Sequence, residues 1–575
     1  MQGAAFGDRA SVETPEDAVA RVMASALADG VARISLTDHI PDPHLFEGLD
    51  PMVLLRLGFV PWQRLAGSLV LALSDYARRD EVLTLARRIW PDLRLGFVLT
   101  TPGDIERAVE RGCRPALVER ARTLCPDRYS CRRWDSRGAR DALMLGAIAL
   151  ACSAVLAPRA ALALLLVWIL IANTATLLLR LTAILSLRWA VAPPPAPQAP
   201  DDLPVITLLL PILREDEVLH HLVAAMRAMD YPADRLDIIV LMEADDSRSR
   251  ASLARMSLPP FMRVLEVPHD TLRTKPRALN YALPFCRGGI VGIYDAEDRP
   301  EPGQLRHVAA SLAAAPMQVA CVQARLDFYN PDQNWLTRCF TLEYATWFRV
   351  LLHGVQVLGV PLPLGGTSVF FRRAVLEEIG GWDAHNVTED AELGMRLARY
   401  GYRCEMIAST TYEEANSQMM NWIGQRSRWL KGYCMTWAAH MRRPARLLAD
   451  LGPRGFAGFQ VLFLGAITAY LAIPLFWIMA LLAVTGTVPQ VMEGLTGWLW
   501  TSLWISLPAG QLVMLAAVAL ALRDRHDMGR FVWALTLPAY WPLGAIAAWR
   551  AVLELFTAPF HWHKTRHGLT GSQQQ

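Results

Sequence analysis

The stretch GGIVGIYDAEDRP, residues 288–300, carries the pattern from which the fold can be predicted. Residues 289–294 form an apolar run of strand length, and the acidic cluster Asp295-Ala296-Glu297-Asp298 follows directly. Two further runs each precede a polar cluster and a helical pattern: residues 205–210 and 236–242. This alternation predicts an α/β domain with a mostly parallel sheet and crossover helices.

The acidic clusters predict a ligand site. In open α/β sheets, ligands bind beyond the carboxyl ends of the strands, and Asp295–Asp298 and Glu243–Asp246 both follow predicted strands. Carboxylate oxygens suit Mg²⁺ or Mn²⁺ shared with substrate phosphates, which indicates Asp295 and Glu297 as metal ligands. A solvated loop or a helix cap is the alternative for either cluster alone. Lys275 offers a point charge to a diphosphate, although a lone lysine is more often a surface residue.

Long apolar stretches predict a multi-pass membrane protein. The hydrophobic fraction is 53%, and five stretches are nearly free of charge: residues 143–157, 160–179, 456–484, 498–522 and 531–549. About 20 apolar residues cross a bilayer as a helix. The last stretch contains Pro538 and Pro542, so we expect a broken or re-entrant segment there.

Charge distribution predicts the orientation. Arginines precede the first apolar stretch and follow the fourth, whereas residues 485–497 contain no Lys or Arg. The positive-inside rule then places the N-terminus and the middle region in the cytoplasm. The net charge of +3 gives no support for a nucleic-acid partner. The nine cysteines include no CxxC pair, so neither a zinc site nor a disulfide framework is indicated.

The chain is expected to consist of six parts. They are a soluble α/β domain (1–127), a two-helix membrane hairpin (141–184) joined at Pro158-Arg159, a proline-rich linker (192–204), the main α/β domain (205–445), the C-terminal apolar helices (456–557), and a cytoplasmic tail (558–575).

The N-terminal part resembles a domain of the secretion machinery. The segments LLRLGFVPWQRLAGSLVLALSD (54–75) and TTPGDIERAVERG (100–112) are similar to the N-terminal domain of type II secretion and pilus ATPases. Some members of that domain family bind cyclic di-GMP, so the resemblance implies a regulatory sensor. A docking or purely structural module is the alternative.

From about Thr207 onward, the chain resembles the processive, membrane-integrated family 2 glycosyltransferases, the relatives of cellulose and hyaluronan synthases. The resemblance implies a GT-A type domain inserted between transmembrane helices, in an exopolysaccharide subgroup. The stretches that carry it are KPRALNYAL (275–283), YDAEDRPEP (294–302), PLGGTS (363–368), GGWDAHNVTEDAELGMRLARYGYRC (380–404) and QRSRWLKGY (425–433).

The resemblance also implies residue roles. Asp390 of Thr388-Glu389-Asp390 matches the general base, a role that fits the need of a sugar hydroxyl for a proton acceptor. Asp295 and Glu297 match the DxD motif, in which Glu297 replaces the second Asp and leaves Asp298 as an alternative ligand. The nucleotide site would comprise Glu215, Glu243, Lys275, Asp295 and Arg428, and the acceptor site Gly366, Thr367, Glu389, Gln425, Arg426 and Trp429.

Gln425, Arg428 and Trp429 are spaced i, i+3, i+4 and share one face of a helix. That face presents a guanidinium to phosphate and an indole to a sugar ring, and Arg426 adds a second charge. An amphipathic helix at the membrane surface is the alternative. The tail segment PFHWHKTRHG (559–568) resembles the gating loop of the family. This resemblance implies a cytoplasmic C-terminus and an even number of crossings, with residues 531–556 as re-entrant or interfacial helices.

The sequence therefore predicts an inverting synthase of a β-linked polysaccharide that moves its product across a bacterial inner membrane. UDP-glucose is the first expected donor, UDP-N-acetylglucosamine the second and GDP-mannose the third. Single transfer to a lipid carrier is an alternative, and so is a non-enzymatic secretion component with partner proteins for export. No GxxxxGK[ST] loop is present, which excludes a secretion-type ATPase.

Overall fold

The computed structural model describes residues 31–65, 67–187, 202–214, 218–485 and 495–561. The chain divides into two compact units. The first comprises Met1–Ala121 with the short stretches Pro200–Asp202 and Tyr281–Phe285, and the second comprises the remainder.

The first unit is a small α/β fold. Its sheet has the order β1-β2-β3, antiparallel between the first two strands and parallel between the last two. The elements are α1 (Pro51–Leu57), β1 (Phe59–Leu65), β2 (Ser68–Leu73), α2 (Arg79–Ile89), β3 (Arg94–Leu99), α3 (Pro102–Gly112) and α4 (Arg114–Thr123), which runs into the second unit.

The second unit is built around an eight-stranded mixed sheet of order β6-β5-β4-β7-β10-β9-β11-β8. The first four strands in this order are mutually parallel, and β9 and β11 are also parallel. The strands are β4 (Ile206–Ile212), β5 (Leu236–Glu243), β6 (Met262–Val267), β7 (Ile290–Ile293), β8 (Arg299–Pro300), β9 (Val319–Phe328), β10 (Val369–Arg372) and β11 (Arg403–Glu413).

The central strands of this sheet are buried on both faces, which explains why they are continuous apolar runs. Every residue of β5 is buried, and β4 exposes only Pro211 in part. The helices outside the long apolar set are α7 (Leu219–Arg227), α8 (Ser247–Ala254), α9 (Lys275–Ala282), α10 (Gln304–Ala314), α11 (Trp335–Thr346), α12 (Leu352–Val357), α13 (Arg373–Glu378), α14 (Glu389–Arg399) and α15 (Met419–His440).

The strand order brings the acidic clusters together. β4, β5 and β7 are neighbours and parallel, so their carboxyl ends lie at one edge of the sheet. β5 ends at Glu243, and Asp295 comes two residues after β7 ends at Ile293. The three strands expected at 205–210, 236–242 and 289–294 are confirmed, with the bounds given above.

Among the residues that the structure describes, five helices are long and apolar enough to cross a bilayer: Ser136–Leu156 (α5), Pro158–Ser186 (α6), Pro444–Ile478, Gly497–Asp524 and Met528–Thr557. The third comprises α16 (Pro444–Phe459), a π-helical segment (Gln460–Gly465) and the first part of α17 (Ala466–Val484), and the fourth lies within α18 (Leu495–Asp524). The protein is therefore a membrane protein.

The predicted position of the hairpin connection, Pro158-Arg159, is wrong because the connection comes earlier in the chain. Ala157 alone separates α5 from α6, and Pro158 is the first residue of α6. Proline suits this position because the first helical residue has no intrahelical partner for its N–H.

The last apolar segment is helical throughout, as a 3₁₀ segment (Met528–Thr536) followed by α19 (Leu537–Thr557). Pro538 stands in the first turn of α19, where proline is tolerated, and Pro542 lies inside the helix. By length and composition this segment qualifies as a span, and its re-entrant or interfacial placement stays a prediction.

Candidate active site

One cavity of about 1640 Å³ collects the sequence-predicted residues of the second unit. It reaches from the acidic edge of the sheet to the apolar helices, so Asp295, Asp390 and Trp429 face the same space. The π-helical segment Trp347–Leu351 also borders it. The predicted residues that line the cavity are Glu243, Lys275, Asp295, Glu297, Gly366, Thr367, Glu389, Asp390, Gln425, Arg426, Arg428 and Trp429.

The turn after β7 is held from both sides. Asp298 accepts the backbone N–H of Asp295 at 2.8 Å and the hydroxyl of Thr367, and it is almost fully buried. Lys275, the first residue of α9, contacts Asp295 and donates to the carbonyl oxygen of Gly366 at 2.7 Å. The hydroxyl of Thr367 therefore fixes this turn, and its contact with an acceptor stays a prediction.

Glu297 and Asp298 differ in their access to the cavity. Glu297 and Asp295 line the cavity, whereas Asp298 does not. Burial, and then the charge of Asp295, raise the pKa of Glu297 to about 7. Burial with Asp295 and Glu297 raises the pKa of Asp298 well above its ordinary range. These acids repel one another, and a cation between Asp295 and Glu297 would relieve that repulsion.

The donor set fits a metal shared with a substrate. In the part of the chain that the structure describes, no group of three or more His, Cys, Asp or Glu residues is arranged to hold an ion. Mg²⁺ characteristically takes one or two carboxylates and completes its shell with water and substrate phosphates. Asp295 and Glu297 match that pattern of two protein ligands.

Lys275 keeps its charge inside this cluster. Burial would lower its pKa, but Asp295 and Glu389 raise it above the ordinary lysine value. A permanently charged ammonium beside Asp295 is suited to a diphosphate.

Asp390 is placed by the first turn of α14. Thr388 precedes the helix, and Asp390 accepts the N–H of Ala391 at 2.8 Å. A Cβ on Gly366 would stand 3.1 Å from Oδ2 of Asp390, so the second glycine of PLGGTS leaves room for this carboxylate. A Cβ on Gly432 would meet the Thr388 hydroxyl at 2.1 Å, so α15 packs directly on the start of α14.

The adjacent carboxyl groups of Glu389 and Asp390 both have a raised pKa. Burial, followed by Asp390, raises the pKa of Glu389 to about 8. Burial also raises the pKa of Asp390, while the Ala391 N–H, Lys275 and Arg428 oppose the rise. A carboxylate with a raised pKa is a stronger proton acceptor, which is what a sugar hydroxyl requires.

Glu243 is not a free carboxylate. Arg277 of α9 donates to both of its oxygens, at 2.8 and 2.7 Å, and both side chains are nearly fully buried. Burial raises the pKa of Glu243, and Arg277 counters it. Sequence reasoning missed Arg277 because a contact between residues 34 positions apart leaves no local pattern.

The QRSRW motif is helical, as expected, within α15. Arg426 donates to Glu343 at 2.6 Å, and its guanidinium stands 4.7 Å from the ring of Trp429. Trp429 is also 6.1 Å from the ring of Tyr344. Gln425 accepts from the side-chain amide of Asn416 at 2.8 Å. Arg426 therefore steadies the tryptophan as well as lining the cavity.

Three side chains missed by sequence reasoning complete the surroundings. Gln323 on β9 holds the PLGGTS loop by accepting from Gly365 N at 2.9 Å and donating to Thr367 O at 3.0 Å. Glu413, the last residue of β11, lines the cavity, and after burial the charges of Asp298 and other acids raise its pKa well above the ordinary value. No motif marks either residue.

The third missed residue is Lys431, three positions after Arg428. Its buried ammonium donates to the carbonyl oxygens of Ala558 and His561, at 3.1 and 3.0 Å, and lies 3.2 Å from Glu554. Phe560 and His561 line the cavity. Lys431 thus fixes the start of the C-terminal tail beside the catalytic cluster. Glu215, linker residues 192–201 and tail residues 562–575 lie outside the described residues.

Residues 290–553 match the family model Glycosyl transferase family group 2. The chain therefore contains a family 2 glycosyltransferase domain. Its α/β fold of GT-A type is thereby confirmed. Residues 30–118 of this glycosyltransferase match the MshEN domain, which confirms the resemblance of the N-terminal segment.

Among curated proteins, the glycosyltransferase is 28% identical over 239 residues to "Probable glycosyltransferase YdaM" of Bacillus subtilis, covering 40% of this chain and 56% of that protein. It is 28% identical to the catalytic subunit of cellulose synthase 1 (UDP-forming) of Komagataeibacter xylinus, covering 42% of this chain and 32% of that protein. It is 25% identical to beta-monoglucosyldiacylglycerol synthase of Trichormus variabilis, covering 40% of this chain and 49% of that protein. The match thus spans 32% to 56% of these relatives' lengths.

Among solved structures, a mannosyltransferase from Pyrobaculum calidifontis in complex with GDP-Man and Mn²⁺ is similar with a TM-score of 0.43 and 21% identity. The similarity covers 64% of this chain and 99% of that one.

Proposed function

We propose that this glycosyltransferase extends a β-linked polysaccharide from a nucleotide sugar, inverts the anomeric centre, and passes the product between its apolar helices. The observation that carries the proposal is the single cavity in which Asp295, Asp390 and Trp429 meet. UDP-glucose is the first donor to test, UDP-N-acetylglucosamine the second and GDP-mannose the third. The cellulose synthase relative, whose name specifies UDP formation, supports this order.

Donor binding is assigned to the edge of the sheet. Lys275 would contact the diphosphate, and Asp295 and Glu297 would hold Mg²⁺ or Mn²⁺ together with it. The ion supplies positive charge to the departing diphosphate when bound. Glu243 would face the nucleoside with its carboxylate held in place by Arg277, and Arg428 would add a guanidinium to the phosphates. Glu215 is proposed for the uridine side on the family resemblance alone.

Proton transfer is assigned to Asp390. Its carboxylate would take the proton of the acceptor hydroxyl as that oxygen attacks the anomeric carbon and the bond to the diphosphate breaks. The raised pKa of Asp390 supports this role. Glu389 would contact the acceptor beside it, and the fixed carbonyl and hydroxyl groups around Gly366 and Thr367 would orient the acceptor sugar.

Acceptor binding is assigned to α15. Trp429 would stack on the terminal sugar, steadied by Arg426, while Gln425 would offer a polar contact. Beyond them the cavity continues among the apolar helices, lined by Phe476, Trp477 and Trp504. Aromatic faces bind sugar rings without fixing one register, which suits a chain that must slide.

Regulation is assigned to the first unit. The MshEN match supports cyclic di-GMP as its ligand, and a docking module for export partners is the alternative. Five apolar helices support a place in the bacterial inner membrane, with the catalytic domain and both termini in the cytoplasm as the proposed topology. The parts 1–127, 141–184, 192–204, 205–445, 456–557 and 558–575 are the proposed domain limits.

Single transfer to a lipid is the second candidate, favoured by the similarity to a beta-monoglucosyldiacylglycerol synthase. Product length separates the two. Vesicles containing the full chain are given each nucleotide sugar in turn, with and without cyclic di-GMP, and free nucleotide and product size are followed. A ladder of glycans supports polymerisation. One product of unit length, or no release from any donor, would contradict it.

A further inference from the structure

Residues 124–135, which we call the connecting segment, join α4 to α5 and include a 3₁₀ turn at Cys131–Arg133. Arg132 donates to the carbonyl oxygen of Thr123 at 3.1 Å and also to that of Cys125. Carbonyl groups at the end of a helix lack intrahelical partners, so Arg132 ties the connecting segment to the end of α4. α4 itself begins within the first unit of the chain.

Asp383 is the buried acceptor for the connecting segment. Its carboxylate accepts the hydroxyl of Ser130 at 2.7 Å and the N–H of Cys131 at 2.6 Å. All three residues are fully buried. Hydrogen bonds to a carboxylate are stronger than those between neutral groups, and an unpaired carboxylate in this position would be costly. The connecting segment is therefore firmly attached to the loop that contains Asp383.

Two glycines allow the connecting segment to lie directly on this loop. Gly380 and Gly381 both have a positive φ, of 88° and 56°. A Cβ on Gly380 would stand 2.7 Å from the carbonyl oxygen of Leu124, and one on Gly381 would stand 2.7 Å from the Leu124 side chain. Arg442, just after α15, adds a hydrogen bond to the carbonyl oxygen of Ser130 at 2.9 Å.

Hydrogen-bonded turns lead from Asp383 to the proposed base. The carbonyl oxygen of Asp383 accepts the N–H of Asn386 at 3.1 Å, and the side-chain oxygen of Asn386 accepts the N–H of Thr388 at 3.0 Å. Asn386 also donates to Thr436 of α15 at 2.8 Å. Thr388 immediately precedes α14, whose first turn carries Asp390. Since each step is held by a hydrogen bond, a displacement of Asp383 should reach this turn.

Holding α5 in place would be a simpler role for these contacts. The position of His385 favours a role in the active site instead. Asp383 accepts the N–H of His385 at 3.2 Å, and His385 lines the cavity. The ring of His385 also lies 5.7 Å from that of Phe560, another cavity residue. One carboxylate thus holds both the connecting segment and a part of the cavity wall.

We propose that Asp383 is a positioning residue, through which the connecting segment fixes the loop that carries Asp390 and makes transfer depend on the placement of α4. The inference rests on the proposed function and deepens the regulation assigned to the first unit. Because the connecting segment follows α4 directly, a shift of α4 would move Leu124 and Ser130 and loosen the turn at Asp390. Placement of the base affects the transfer step, so the effect falls on kcat and leaves the KM for the donor unchanged.

Ser130→Ala tests this, because it removes one hydrogen bond and leaves the Cys131 N–H on Asp383. Hydrogen–deuterium exchange of residues 382–392 is measured on the purified full chain, and kcat and donor KM are measured in vesicles. We expect exchange in 382–392 to rise roughly tenfold, the size of one hydrogen bond to a charged group. The kcat should fall about tenfold at an unchanged donor KM. Ser130→Thr keeps a hydroxyl and should recover part of both changes.

Ser409→Ala is the matched control. Ser409 is equally buried and donates to the carboxylate of Glu301 at 2.9 Å, but neither residue lines the cavity. It should change neither the exchange of 382–392 nor kcat. Unchanged exchange in Ser130→Ala would overturn the proposal, and so would raised exchange at an unchanged kcat, which would leave the contact as an anchor for α5. If the unchanged protein used no donor, the polymerase proposal would fail, and the exchange data alone would decide whether the connecting segment holds the turn at Asp390.

Discussion

Gly366 and Asp390 approach so closely that a Cβ atom on the glycine would stand 3.1 Å from Oδ2 of the carboxylate. The carboxylate is also fixed by the N–H of Ala391. The loop between Leu364 and Ser368 and the first turn of α14 therefore position the proposed base together. Neither segment could do so alone.

Gly366→Ala should reduce turnover about tenfold, because displacing a positioned base by a few tenths of an ångström weakens its contact with the acceptor. Binding of the nucleotide should change little. Initial rates and nucleotide affinity are measured side by side. Gly303→Ala is the control, since a Cβ there meets nothing within 4 Å. Equal rates for both variants would contradict a tight fit at Asp390.

The pH dependence should reveal the raised pKa of Asp390. A base works when deprotonated, so activity is present above its pKa and is lost as the pH falls through it. The loss should therefore occur at higher pH than for an ordinary aspartate. Lys275→Met should move it higher still, because Lys275 lowers this pKa. The measurement is kcat/KM against pH.

Asp390→Asn should abolish transfer and keep nucleotide binding, and a variant that still transfers would remove Asp390 from this role.

Chelation should stop transfer, and Mg²⁺ or Mn²⁺ should restore it. Glu297→Gln should raise the metal concentration needed, since Glu297 faces the cavity. Asp298→Asn should chiefly destabilise the fold, because Asp298 holds Asp295 N–H and Thr367. Mn²⁺ binding by electron paramagnetic resonance in the presence of the nucleotide diphosphate provides a readout besides activity. Loss of Mn²⁺ binding only in Asp298→Asn would reverse the assignment.

Lys431→Met should raise the KM for the donor and lower turnover, because it releases the carbonyl oxygens of Ala558 and His561. Lys431→Arg should recover part of the activity. Glu554→Gln changes the ion-pair partner of Lys431, whose Nζ lies 3.2 Å from the Glu554 carboxylate. The effects of Lys431→Met and Glu554→Gln should therefore be non-additive. Strictly additive effects on donor KM would show that the pair does not act on the tail.

Arg277→Met should destabilise the protein by about 3 kcal/mol, since it leaves the buried Glu243 without a counter-charge. The double change with Glu243→Gln should recover much of this loss, because no uncompensated charge remains. Thermal unfolding of the purified chain measures both. Arg250→Met, at the exposed Glu266 pair, is the control and should have little effect. A double variant less stable than Arg277→Met would contradict the explanation.

Much of this protein follows from local sequence. The runs that became β4, β5 and β7, the acids after β5 and β7, the helical QRSRW motif and the apolar spans were all evident, because strand and helix patterns depend on residues a few positions apart. The family resemblance added which of these residues belong to one site. The register of the α5–α6 connection was off because the first helical turn accepts proline.

The tertiary structure alone decided which side chains pair. Arg277 on Glu243, Lys431 on the tail, and the orientation of Asp298 away from the cavity all join segments distant in the chain. The place of Arg180 at the cavity wall likewise depends on how the apolar helices pack. Burial sets the charge state and partner of such groups, and burial is a property of the packed molecule that no short segment contains.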